Sequence, residues 1–76
     1  VQLTSPALVE VGVYGLGGEM VRELHRGRLL NGRYGWEWDG KGDDGELVLP
    51  GVYLYRVRVQ ADAGVEEKVG TITVVY

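Results

Sequence analysis

Apolar residues recur with period two along most of this chain, and that alternation limits its fold more than any other feature. Val9, Val11 and Val13 fall on one side of an extended segment, with Glu10, Gly12 and Tyr14 on the other. Tyr53, Tyr55, Val57 and Val59 line up in the same way opposite Leu54, Arg56 and Arg58. Successive side chains of a strand point to opposite faces, so each segment reads as a strand with one buried face. A helix needs apolar residues three and four apart, and that spacing is nearly absent. Thirteen glycines and two prolines cut the chain into short pieces, so the expected fold is all-β, with short strands and tight turns.

Residues 1–4 are expected to form a short first strand, ended by Ser5-Pro6 because proline cannot donate to a ladder. Residues 7–14 form the second, and Gly15-Leu16-Gly17-Gly18 reverses the chain. The third covers residues 19–25, with a β-bulge near Arg22 that lets both Val21 and Leu24 face inward. Residues 27–32 read as a loop whose Leu29 and Leu30 plug one end of the sandwich, the alternative being an exposed contact patch. The fourth strand, residues 33–39, puts Tyr34, Trp36 and Trp38 inward and Gly35 and Glu37 outward. The fifth, residues 51–60, leaves Arg56 and Arg58 to pair with carboxylates on a neighbouring strand. A turn at residues 61–64 leads to a last strand over residues 65–76, bent or bulged at Gly70. About seven short antiparallel strands with this turn spacing make an Ig-like or fibronectin-III-like β-sandwich. Its expected core is Val9, Val11, Val13, Leu24, Trp36, Trp38, Tyr53, Tyr55 and Val57.

Seventy-six residues suffice for one domain, residues 1–76, and the absence of cysteine means that no disulfide staples it. A net charge of −3 and a pI near 5.0 argue against a nucleic-acid backbone or an anionic membrane as partner. Arg22, Arg26, Arg28 and Arg33 cluster, but Glu19 and Glu23 dilute them. No apolar run has the length of a membrane span, and no n-region, h-region or cleavage site is visible in the opening residues. A first residue of Val1 rather than Met implies excision from a longer protein or removal of a leader.

Residues 36–55, WEWDGKGDDGELVLPGVYLY, concentrate the chemistry. Asp39, Asp43, Asp44 and Glu46 supply hard oxygen ligands among flexible glycines, the raw material of a calcium site, although the spacing is not that of an EF-hand. The competing reading is that the aspartates cap backbone N–H groups in Asx turns. On that reading Asp39, Gly40 and Gly45 shape the turn, Trp38 anchors the strand end, and Gly51 allows close approach before Tyr53 packs inward. Paired-carboxylate catalysis needs a half-buried acid, which this open loop does not offer. His25, the lone histidine, has no nucleophile at a recognisable spacing and reads as a strand-end residue near solvent. Gly15, Gly17 and Gly18 lack the following helix that a phosphate loop requires. Lys41, Lys68 and Asn31 would have to point inward together to form an isopeptide bond, and no strand arranges them so.

The order Trp38-Asp39-Gly40-Lys41, then Asp43, Gly45, Val48, Gly51, Tyr53 and Tyr55, resembles the Ig-like domain of flagellar hook-capping proteins. Val11-x-Val13-Tyr14-x-Leu16-Gly17 and Val21-Arg22-x-Leu24 agree with it, and the resemblance spans residues 7–76. Gly15 stands where the family commonly has Asp. Similar modules end many bacterial secreted and surface proteins. The resemblance therefore implies a non-catalytic structural or protein-interaction module of an extracellular or surface assembly, with no cofactor and no small-molecule substrate. Its partners would be proteins, including copies of itself. A thin domain with strand-forming ends can assemble by strand exchange: Val1, Gln2, Leu3 and Thr4 would donate, or Thr71, Ile72, Thr73 and Val74 would accept. The alternatives are a hook-capping-type flagellar assembly domain and a C-terminal accessory or secretion-sorting domain of a larger secreted protein.

Overall fold

The computed structural model covers residues 1–76 and contains six strands and no helix: β1 (Gln2–Leu3), β2 (Ala7–Tyr14), β3 (Met20–Leu29), β4 (Gly32–Arg33), β5 (Gly51–Ala61) and β6 (Gly64–Val74). No helix is long and apolar enough to cross a membrane. The strands form two antiparallel sheets, one of four strands in the order β3-β2-β5-β6 and one of two, β1-β4. The architecture is consistent with a lopsided β-sandwich of six strands rather than about seven.

The valine stripe of β2 lies at the centre. Val9, Val11 and Val13 sit opposite Val59, Val57 and Tyr55 of β5, and Val9 and Val13 are completely buried. Full burial of one such side chain contributes about 1.5–3 kcal/mol. Leu3 of β1 and Ala7 join the buried set, with Leu24, Leu29, Tyr34, Trp36, Val57, Val59 and Ala61 packed round it, half-exposed. Trp38, Tyr53 and Tyr55 are also half-exposed. The two-stranded layer is too narrow to cover the full width of the larger sheet.

Several boundaries differ from expectation. β3 does not end near His25: Gly27, Arg28 and Leu29 stay in register with Val9, Leu8 and Ala7, so the expected loop at residues 27–32 shrinks to Leu30 and Asn31. Leu29 packs on the core, but Leu30 is 68% exposed and plugs nothing. The expected bulge divides into two, because the β2–β3 register slips between Val11 and Gly12 and again between Val13 and Tyr14. Leu24 and Val21 are the unpaired residues, half-buried both.

The expected fourth strand is cut short at Arg33, where β1 pairs with it through Gln2 and Leu3, and its last backbone bonds are those of Tyr34 with Val1. Residues 35–39 keep the alternation without a ladder: Trp36 and Trp38, like Tyr34, are half-buried, Gly35 and Glu37 exposed. Gly70 is neither a bulge nor a bend. It pairs directly with Tyr55 in an unbroken register, and the Tyr55 ring covers it so closely that a Cβ there would overlap the ring. Arg56 finds no carboxylate and lies over the Tyr14 ring, 5.4 Å from its centroid. β6 ends at Val74 rather than Tyr76.

Candidate functional site

The Asp-rich segment folds into a small closed corner. Asp39 Oδ1 accepts from the Lys41 N–H at 3.0 Å, an Asx turn, and Asp44 Oδ1 accepts from the Glu46 N–H at 2.9 Å. Backbone bonds from Gly42 to Glu46, Gly45 to Gly42 and Val48 to Gly40 tie the loop to itself. Gly40 and Gly45 take φ of +80° and +83°, the left-handed region that a side chain would strain. The Trp38 indole N–H donates to the Lys41 carbonyl at 2.8 Å, and its ring meets Tyr53 edge-on, 5.6 Å between centroids. Tyr53 in turn donates to the Leu49 carbonyl at 2.5 Å.

This corner docks on the outer edge of β3. The Asp43 N–H donates to the Val21 carbonyl at 2.9 Å, and Asp43 Oδ1 accepts from the Glu23 N–H at 3.1 Å. Asp43 thus stands in for a residue of a neighbouring strand. Gly42 is buried beneath it, and a Cβ there would lie 3.3 Å from the Val21 carbonyl oxygen. Arg22 completes the joint, reaching Asp39 at 3.3 Å, Asp43 at 3.9 Å and the Lys41 carbonyl at 3.2 Å. A guanidinium therefore lies between two of the carboxylates considered as calcium ligands.

Asp39 and Asp43 are brought together on Arg22, while Asp44 turns away to its own cap. No three acidic or histidine side chains converge as a metal site would require. Gly51 opens β5 with φ +149°, and the expected close approach is not there: a Cβ at Gly51 would meet no atom within 4 Å. His25 is not at a strand end: it lies within β3 opposite Val11, its ring 5.5 Å from that of Trp36, with Nε2 buried and unpartnered. Lys41, Lys68 and Asn31 are all exposed. Gly42 and Tyr76, whose hydroxyl donates to the Val48 carbonyl at 2.7 Å, carry no signal in the sequence reading. Arg22 stands out there in the basic cluster, at the expected bulge and in the Val21-Arg22-x-Leu24 pattern, but nothing local marks it as the partner of the Asp-rich loop.

The proposed exchange strands lie at different places. Val1 and Tyr34 exchange two bonds, Val1 N–H to Tyr34 O at 2.8 Å and the reverse at 2.7 Å, and Gln2 and Leu3 continue that pairing with β4. Residues 1–3 thus already have a partner within the chain. Thr71, Ile72, Thr73 and Val74 belong to β6, which pairs with β5 on one side and with nothing on the other.

The sequence model of the FlgD Ig-like domain matches residues 1–64 of this chain. The chain belongs to the FlgD Ig-like domain family. The match takes in β1, which the residue-level resemblance had left out, and stops at the β5–β6 turn. No curated protein and no solved structure matches. FlgD Ig-like domains are structural domains related to flagellar hook capping, generally non-catalytic, and they commonly mediate protein interactions. The family is associated with the flagellar hook, a cell-surface structure.

Proposed function

We propose that this FlgD Ig-like domain is a non-catalytic interaction module of a bacterial extracellular or surface assembly, and that it works by presenting one sheet edge to protein partners. The observation that carries this reading is the contrast between the edges: the domain's own Asp-rich loop bonds to the backbone of β3, whereas the eleven residues of β6 keep one side unpaired. A free ladder edge is a template for another strand. The structural contacts of the Asp39, Asp43 and Asp44 carboxylates, as caps and, for Asp39 and Asp43, as partners of Arg22, support the non-catalytic reading. A hook-capping-type role, in which the module works beside other flagellar domains, is the second reading and is favoured by the family match.

Hydrogen exchange on the domain, alone and with hook and hook-cap proteins from the same source, tests this. Protection gained along β6 supports an edge-presenting module. Protection gained instead over the Trp38–Gly45 corner, with β6 still exchanging freely, would overturn it.

A further inference from the structure

We propose that the occupant of the β6 edge is the β6 of a second copy, paired antiparallel about a two-fold axis at Val69 to give one continuous eight-stranded sheet. This rests on the edge-presenting reading above and names its partner.

The direction of the backbone groups comes first. Ala61 and Gly64 close a two-residue hairpin and the register runs unbroken to Gly51 and Val74. Ladder-bonded pairs alternate with non-bonded ones in an antiparallel pair, so the even-numbered residues of β6 bond to β5. Val65, Glu67, Val69, Thr71 and Thr73 therefore turn N–H and C=O outward. No proline or bulge interrupts this edge, and Val65 and Val69 are 51% and 55% exposed.

Register then follows from length and charge. An axis at Val69 places Val69 opposite Val69, Glu67 opposite Thr71 and Val65 opposite Thr73, and overlaps the whole of β6 with its partner from Gly64 to Val74. Sliding the axis to Lys68 sets two lysines face to face, and sliding it to Glu67 sets two glutamates face to face. Like charges directly opposed destabilise a strand pair. An axis at Gly70 or beyond leaves the Val65 end unpaired. The longest overlap is thus also one free of opposed like charges.

The other edge decides between a closed pair and a chain of copies. Pairing β6 with β3 of the next copy would propagate head to tail into a filament. Asp43 already bonds β3 at Val21 and Glu23, and two bulges break its register. A closed two-fold dimer is what remains. Edge pairing buries little apolar area, which puts this dimer in the weak, concentration-dependent class.

Sedimentation velocity on the 76-residue chain over a wide concentration range is the test, paired with Val69→Lys, which opposes two lysines at the axis while leaving the β5 ladder intact. A monomer–dimer equilibrium that Val69→Lys weakens by about fivefold or more, with an unchanged circular dichroism spectrum, is expected. The chain has no cysteine, so Asp62→Cys carries a single spin label at the hairpin turn. In the proposed register two such labels lie roughly 45 Å apart at ~3.4 Å per residue. A monomer at every concentration, a filament, a dimer indifferent to Val69→Lys, or a label distance shifted by a two-residue slip would each overturn the proposal. A monomer whose β6 still gains protection with hook proteins would overturn the dimer alone and leave the edge-presenting module standing.

Discussion

β3 and β6 are the two edges of the same four-stranded sheet, and the chain treats them differently. β3 carries two bulges and is overlaid by a loop from more than a dozen residues away, with Asp43 bonded to its backbone on both sides of Arg22. β6 keeps a straight register over its full length and meets no covering segment on its outer side. Sheet proteins usually blunt their edges with bulges, inward charges or covering loops. Here β3 has the bulges and the loop, while β6 has only Glu66 and Lys68 on its core-facing side, opposite Val59 and Val57. The lesson is that edge protection is a local property, built by a few residues, and each of those residues can be removed.

The largest effect should come from Trp38→Ala. That side chain holds the corner shut through its bond to the Lys41 carbonyl and its contact with Tyr53. Because the ring is half-buried, the loss should be below the fully buried range, about 2–3 kcal/mol, read by urea unfolding. The Glu23 amide should also lose its exchange protection as the loop lifts from β3. Unchanged protection there would mean that the cap does not depend on the corner. On the opposite edge, Gly70→Val forces the Tyr55 ring aside and should cost about 2 kcal/mol by overpacking. If it were neutral, β6 would be looser than its register implies.

The contrast also shows what could be read from the residues. β2 and β5 were legible to within one residue because their alternation is strict and both flanks are paired, so pattern and ladder agree. Residues 34–39 have the same alternation, with Tyr34, Trp36 and Trp38 half-buried, but a ladder needs a neighbouring backbone, and the N-terminal segment reaches no further than the Val1–Tyr34 pair. Side-chain patterning reports a face, not a partner. Gly70 was misjudged for a related reason: a glycine in a strand reads as a bend until its cross-strand neighbour is known to be a tyrosine. In the corner, the Asx turns follow from short-range spacing and were legible. The docking of Asp43 on β3 and the grip of Arg22 join positions about twenty residues apart, which no local pattern encodes.

Asp43→Ala sharpens the edge comparison directly. It removes the acceptor of the Glu23 N–H and one carboxylate of the Arg22 pair. The Arg22 side chain is 30% exposed and Asp43 56%, so the ion pair itself adds little, and the expected loss is about 1 kcal/mol, chiefly the hydrogen bond. The more telling readout is association. With β3 half uncapped, the variant should form species larger than a dimer in sedimentation, because both edges can then pair. A variant that is destabilised yet no stickier would assign the protection of β3 to its bulges rather than to its loop.

His25→Phe gives the smallest expected effect, and it concerns the inner side of that same β3. His25 presents its ring to Trp36 at 5.5 Å, so its packing is that of an aromatic residue, but Nε2 is buried with no partner. An unsatisfied buried nitrogen costs desolvation that nothing returns, and an apolar ring of similar size removes the cost. Phenylalanine should therefore raise stability slightly, by about 0.5–1 kcal/mol, without altering the Trp36 contact or the β3 ladder. The measurement is the urea midpoint at constant m-value. A fall in stability would show that Nε2 is bonded to ordered water in solution. In that case β3 would be held by polar contacts on its core side as well as by Asp43 at its edge, and its difference from β6 would be deeper than the loop alone explains.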